Sequence, residues 1–197
     1  HKHPAIDVTL EVLNRDGVVQ RMRENLDDLY IMSMPPADLA VEGEVFMANP
    51  LVVIAASRHP LARGQGLALR ALAEQRFILR ERGSGTRAAM EKFLEKSRME
   101  PRVVMEMTSN ETIKQAVMAG MGLSFLSLHT LGLELEHGLI AVLDVEGTPI
   151  VRAWNVVHTL SKMLSPAAEA FRYFMLENAE SHLADQYGAH MPMPPSR

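Results

Sequence analysis

Apolar residues fall in short blocks separated by polar and turn-forming residues, and the blocks switch between strand and helix spacing. Ile6 to Leu13 alternates and is β-branched at Ile6, Val8 and Thr9, which predicts a strand. Asn14-Arg15-Asp16-Gly17 ends it and caps a short helix from Val18 to Asn25. Leu29-Tyr30-Ile31-Met32 has the continuous apolar character of a buried parallel strand and stops at Ser33-Met34-Pro35-Pro36. Val45 to Ala56 is the longest strand candidate, with Asn49-Pro50 expected to break it or mark a crossing point.

The alternation continues. A short helix is expected over Ala68 to Glu74, a strand at Phe77 to Leu79, a turn at Gly83-Ser84-Gly85 and a helix from Thr86 to Lys96. Val103 to Met107 reads as a strand and Asn110 to Ala119 as a helix, with Thr108 and Glu111 at capping-box spacing and Gly120 at its end. Strands follow at Leu123 to Leu128, Leu139 to Val145 and Ile150 to His158, with a helix at His129 to His137. A last helix starts at Ser165-Pro166, and Ala167, Ala170, Phe171, Phe174 and Met175 give it one apolar face. A disordered tail is expected from Gly188. Alternating strands and helices predict an α/β fold with parallel sheet, whose ligands bind where strand ends lead into helix N-termini. The loops Asn14 to Gly17, Glu81 to Thr86 and Thr108 to Glu111 fit that description.

Composition narrows the classes. The 197 residues are 47% hydrophobic and 22% charged, the balance of a globular protein with a sizeable core. A net charge of −4 argues against nucleic-acid binding by bulk electrostatics. Cysteine is absent, so there is no disulfide, thiolate nucleophile or cysteine metal site, which fits the cytoplasm. No apolar run reaches membrane-spanning length, and the N-terminal residues carry no signal segment. The first residue is His1, so a fragment or a processed product is expected.

Chemistry concentrates between Arg76 and Arg87, where four arginines and one acid surround Gly83-Ser84-Gly85. With Ser84 as N-cap, position N3 holds Arg87, so no internal carboxylate competes for the first-turn amides of the following helix. A phosphate or carboxylate can take that place, assisted by the helix dipole and by arginine forks. The plainer alternative is a solvated basic turn. Gly83-x-Gly85-x-x-Ala88, with Glu106 on the next strand, also has the outline of a dinucleotide fingerprint, but Arg80-Glu81-Arg82 fits poorly where a buried strand should run straight into the first glycine. Catalytic sets are poor. The eight histidines show no zinc-helix spacing, no serine sits in a hydrolase elbow, and most of the 14 methionines suit gap filling. Trp154 suits packing in a core or at a cleft edge.

Several motifs together resemble the effector-binding domain of LysR-type transcriptional regulators, most closely the RuBisCO-operon (CbbR-type) branch. They are Leu10 to Gly17, Asn25 to Pro36, Asn49 to Ala55 with His59-Pro60-Leu61-Ala62, Arg80 to Arg87, Ser109 to Val117 with Gly120-Met121-Gly122, and Leu143 to Gly147. The Gly-Ser-Gly-Thr-Arg and Ser-Asn-Glu-x-Ile-Lys-Gln pieces are the most specific. The resemblance implies a periplasmic-binding-protein-like (type 2) fold of two Rossmann-like α/β subdomains joined by two crossover strands, with an effector cleft between them. Subdomain I would comprise residues 1–50 and 151–186, subdomain II residues 51–150, and the tail residues 187–197. The first crossover would be the strand through Asn49-Pro50, and the second would lie near Asp144 to Val151.

The resemblance further implies a sensor and not an enzyme, with no catalytic residue, metal or cofactor. The effector would be a small phosphorylated or carboxylated metabolite, with ribulose bisphosphate, phosphoglycolate, phosphoenolpyruvate and NADPH as candidates. Arg80, Ser84, Gly85, Thr86 and Arg87 would form the anion cradle, Ser109 and Asn110 would face the cleft from the neighbouring strand end, and Asn14 and Arg15 from the opposite subdomain. Family members act as homodimers or homotetramers, bind DNA through an N-terminal helix-turn-helix that this sequence does not contain, and contact RNA polymerase; carbon-fixation genes would be the target. The strand and helix that begin the family domain are also not in this sequence. Two alternatives are a free-standing anion-binding protein of periplasmic type and an NAD(P)-dependent enzyme using the Gly83 fingerprint.

Overall fold

The structure is a computed structural model that describes residues 6–187. The expected tail from Gly188 and the terminal His1 and His3 lie outside the described residues. Contacts group the chain into two units, one of residues up to Met47 together with Ala153–Glu180, the other built on Ala48–Arg152.

The first unit begins with the largest departure from the sequence pattern. Residues 6–13 form no strand, and Val8, Leu10 and Val12 are exposed. Their alternation is a real strand pattern, but among the described residues no strand lies beside them to complete a ladder, and a lone strand has no backbone partners. Helix α1 (Arg15–Arg23) starts three residues earlier than expected, because Asn14 Oδ1 accepts from the Gly17 amide at 3.0 Å and draws Arg15-Asp16-Gly17 into the first turn. Strand β1 (Tyr30–Met32) pairs antiparallel, not parallel, with the strand β7 described below, and exposes Ile31 between buried Tyr30 and Met32. One face is therefore solvated, which the short apolar run did not disclose. The small core gathers Met22, Tyr30, Met32 and Val157, with Val18, Val19, Leu39 and Val41 against it.

Strand β2 (Val41–Ala56) and strand β7 (Ile150–Thr159) each run from one unit into the other. β2 is not broken at Asn49-Pro50. Pro50 sits just before the first ladder pair with β5, Leu51↔Ser127, and the Asn49 side chain takes a 2.7 Å hydrogen bond from Ser127 Oγ. In the first unit β7 lies between β1 and β2. Helix α5 (Pro166–Tyr187) opens as expected, with Ser165 Oγ accepting from the Ala168 amide. Its apolar face does not enter a core: Phe171 and Phe174 are exposed, and none of the helix's described side chains is buried. It is fastened instead by polar means, Arg172 pairing with Glu44 and lying over the Tyr173 ring.

The second unit contains strands β3 (Arg76–Arg80), β4 (Arg102–Met107), β5 (Ser124–Ser127) and β6 (Ile140–Val142), and helices α2 (Gly85–Lys96), α3 (Asn110–Met118) and the short α4 (Gly132–Glu136). β3 and β4 are parallel, and Phe77 forms a parallel bridge to Leu123, but β2 pairs antiparallel with both β5 and β6. The expected parallel sheet is thus found at β3 and β4, while the sheet around β2 pairs antiparallel with β5 and β6. The helix expected at Ala68 to Glu74 is a single 3₁₀ turn at Leu69–Leu72, and the one at His129 to His137 divides into a 3₁₀ turn at Leu128–Thr130 and α4. The continuous apolar run at the end of β2 has a clear cause. Leu51, Val53 and Ala55 join Phe77, Leu79, Met90 and Leu94 on the α2 side, while Val52 and Ile54 join Ile78, Ile113, Val117 and Leu126 on the α3 side. Both faces are buried, so neither phase of the strand period can be polar.

Candidate functional site

The second unit gathers seven of the sequence-nominated residues where β3 and β4 end and α2 and α3 begin. β3 closes on Arg80. The chain then turns through Gly83, whose φ of +87° is a left-handed conformation that glycine adopts without strain, into Ser84 at the N-cap of α2. Ser84 is 3% exposed, its side chain makes no cap bond, and its amide donates to Glu81 O at 3.2 Å. Gly85, Thr86 and Arg87 form the first turn, which carries no acidic residue. Unshared amides and the positive end of the helix dipole therefore collect there. Beside it, Ser109 caps α3, its Oγ accepting from the Thr112 amide at 3.4 Å. The expected Thr108–Glu111 capping box is thus replaced by a cap one residue later, and Asn110 becomes the first helical residue.

The two arginines are both engaged. Arg80 donates from Nε to Glu81 Oε2 at 2.8 Å, from Nη2 to Glu81 Oε1 at 3.0 Å, and from Nη1 to Asn110 Oδ1 at 2.8 Å. Arg87 donates to Arg80 O at 3.1 Å, to Glu91 at 2.6 Å and to Glu106 at 3.3 Å, bracing α2 against β3 and β4. The acid of the dinucleotide outline, Glu106, is thus engaged by Arg87. Arg152, at the start of β7, donates to Gly85 O at 2.8 Å and holds the first turn from the other side. An open groove of about 280 Å³ in this unit lies elsewhere, by Arg70, Arg98 and Glu100 at the far end of α2.

Asn14 and Arg15 belong to the first unit, at the start of α1. Asn14 is the helix cap, and Arg15 lies 3.7 Å from Asp16. Further polar residues stand out only in the structure. Lys114 is almost fully buried, bonded to Glu134 at 2.9 Å, Glu111 at 2.8 Å and Thr130 O at 3.0 Å. Burial pulls its pKa down, but the two carboxylates outweigh that and hold it above the ordinary lysine value. His129 Nε2 lies 2.9 Å from Ala48 O, and Asn49 is buried against Ser127. The sequence signal for Lys114 was its place between Ile113 and Val117 on a helical stripe; Arg152 had none. No group of three or more histidine or acidic side chains able to hold a metal occurs among the described residues.

Comparison with known proteins decides the family. The LysR substrate binding domain matches residues 1–180. This chain belongs to that family. It is 47% identical over 190 residues to the HTH-type transcriptional regulator CfxR of Cupriavidus necator, covering 96% of this chain and 60% of that protein. It is 50% identical over 178 residues to the RuBisCO operon transcriptional regulator of Allochromatium vinosum, covering 90% and 59%. Among solved structures it is similar to the Synechocystis CcmR regulatory domain in complex with 2-PG, with a TM-score of 0.86 and 41% identity over 89% of this chain and 85% of that one. The LysR substrate-binding domain thus spans about 60% of the length of the curated relatives it matches, and those relatives are transcriptional regulators. Its fold is the periplasmic-binding-protein-like pair of α/β subdomains that its neighbours have. No helix of the described residues is long and apolar enough to cross a membrane.

Proposed function

We propose that this LysR substrate-binding domain senses a small phosphorylated or carboxylated metabolite for a cytoplasmic, DNA-binding regulator of carbon-fixation genes, and that it works as a homo-oligomer without catalytic turnover. The observation that carries the proposal is the α2 N-terminus: a glycine-opened turn, a first turn free of acids and Arg80 at the end of the strand that leads into it. Those are the donors an anion requires. The likeness to a CcmR domain in complex with 2-PG supports a phosphorylated ligand, and the likeness to RuBisCO-operon regulators supports the target genes.

In this reading Ser84, Gly85, Thr86 and Arg80 contact the anion, Ser109 and Asn110 hold the adjoining rim, and Arg87 keeps the loop in place. Asn14 and Arg15 remain proposed effector contacts on the resemblance alone. A ligand drives a regulator only by preferring one of its states, and about tenfold preference supplies about 1.4 kcal/mol of bias. The test is calorimetric titration of the whole protein with 2-phosphoglycolate. Binding that weakens about tenfold or more in Arg80→Met, with circular dichroism unchanged, is expected. Equal affinity in wild type and Arg80→Met sinks the assignment of the site.

A further inference from the structure

The arginines fall into two sets. Arg15, Arg21, Arg23, Arg80, Arg87 and Arg172 each have a carboxylate partner. Arg70, Arg76, Arg98 and Arg102 have no ion pair and no side-chain hydrogen bond among the described residues, and all four are exposed. Topology puts these four at one end of the second unit. β3 and β4 are parallel and begin at Arg76 and Arg102, which stand opposite each other in register. Arg98 lies where the chain leaves α2 to enter β4, and it lines the open groove together with Arg70. β2 runs antiparallel to β5, and β5 follows a parallel bridge to β3, so the close of β2 arrives at the same end. It brings Arg58, whose Nη2 donates to Ala119 O at 3.3 Å at the close of α3. β3 runs from Arg76 at this end to Arg80 at the other, so the cluster is remote from the anion loop.

Like charges side by side on neighbouring strands repel, and nothing in the chain offsets Arg76 and Arg102. Glu74, Glu95 and Glu100 stand nearby and exposed, yet no ion pair joins them to these arginines among the described residues. The net charge of −4 is therefore unevenly placed, and arginine predominates where β3 and β4 begin. Unpaired, exposed guanidinium forks suit phosphate oxygens from outside the chain.

We propose that this end of the second unit is a second contact to DNA, resting on the phosphate backbone of the duplex that the whole regulator binds. This rests on the reading of the chain as part of a DNA-binding regulator. A duplex carries about one charge per ~1.7 Å of its axis, the regular row of acceptors that four unpaired arginines need. It is favoured over an acidic protein because the same molecule holds the duplex close, at high effective concentration, so weak contacts are enough. Phosphate contacts carry no base readout; they add affinity and fix how the domain lies along the duplex.

The experiment measures binding of the whole regulator to a mixed-sequence duplex of about 60 bp by fluorescence anisotropy, between about 50 and about 200 mM salt. Each phosphate contact contributes about 0.9 to the slope of log affinity against log salt. Arg76→Gln with Arg102→Gln is therefore expected to lower that slope by about two for each subunit on the duplex. Arg23→Gln removes a charge already paired with Asp38, away from this end, and is expected to leave the slope as it is. An unchanged slope in the double variant overturns the proposal, and so does an equal change in Arg23→Gln, which signals bulk charge alone. Poly-aspartate is the second probe. Loss of poly-aspartate binding with the DNA slope retained assigns the face to an acidic protein and overturns the contact with DNA. Should circular dichroism show the double variant unfolded, Arg70→Gln takes its place, with an expected loss of about one in slope and the same overturning result. A regulator that binds no duplex overturns the DNA-binding reading, whereas binding with an unaltered slope removes only this second contact.

Discussion

The two units solve the problem of stability differently. In the unit built on Ala48–Arg152, β2 is buried on both faces, with α2 closing one side through Met90 and Leu94 and α3 the other through Ile113 and Val117. Its deeply buried cation Lys114 is matched by carboxylates. In the other unit the core is Met22, Tyr30, Met32, Val157 and a few flanking valines, and polar links do much of the fastening. Arg21 grips Asp27 with two hydrogen bonds, Lys162 pairs with Asp28, Thr159 donates to Asn25 at 2.7 Å, and Arg172 pairs with Glu44. Exposed ion pairs contribute little each, so a unit that leans on them is softer and more dependent on salt and pH. The anion-binding loop we propose stands in the better-packed unit built on Ala48–Arg152, where a fixed geometry serves recognition.

This contrast breaks most sharply at Lys114. Lys114→Met leaves Glu134 buried without its cation and is expected to cost about 3–5 kcal/mol in urea unfolding. Adding Glu134→Leu should restore most of that, and a double variant no better than the single one breaks the account of a paired, buried charge.

A smaller effect belongs to the other unit. The hydrogen bond from Arg21 holds the Asp27 carboxyl below its ordinary range, so the folded chain keeps that group ionised where the unfolded chain would protonate it. Its contribution is present above the usual aspartate pKa near ~4 and disappears as pH falls through the depressed folded value. Urea midpoints followed from pH 7 to pH 2 should show wild type and Asp27→Asn converging in acid. A constant difference across that range removes Asp27 from the explanation. The smallest effect is expected at Leu10→Ser, within about 0.5 kcal/mol, because the side chain is exposed on an unpaired segment. A loss several times larger means the segment is packed in solution.

Much of this was legible in advance, for identifiable reasons. The start of α2 at Gly83-Ser84-Gly85, the Asn14 cap and the long run of β2 are local signals, set by backbone preference and burial period. What could not be read depends on partners distant in the chain. Ile6 to Leu13 has a strand pattern but pairs with no strand among the described residues. The direction of β1 is decided by β7, some 125 residues later by the Tyr30↔Val157 register. The apolar stripe of α5 is present, but Phe171 and Phe174 on it are exposed. Within the site, four arginines read as a reservoir of free positive charge, yet Arg80 and Arg87 prove to be committed to Glu81, Asn110, Glu91 and Glu106. Counting charges along a chain says nothing about which of them are already spoken for.

The route of the chain also sets an order on its birth. One unit is built on one uninterrupted stretch, Ala48–Arg152; the other is closed only when Ala153–Glu180 returns to it. A ribosome adding roughly 5–20 residues per second takes on the order of 5–20 s to cross the intervening stretch. Throughout that wait Tyr30 and Met32 have no Val157 to pack against and β1 has no ladder. The core around Tyr30 and Met32 is therefore completed only after the unit built on Ala48–Arg152 has been made.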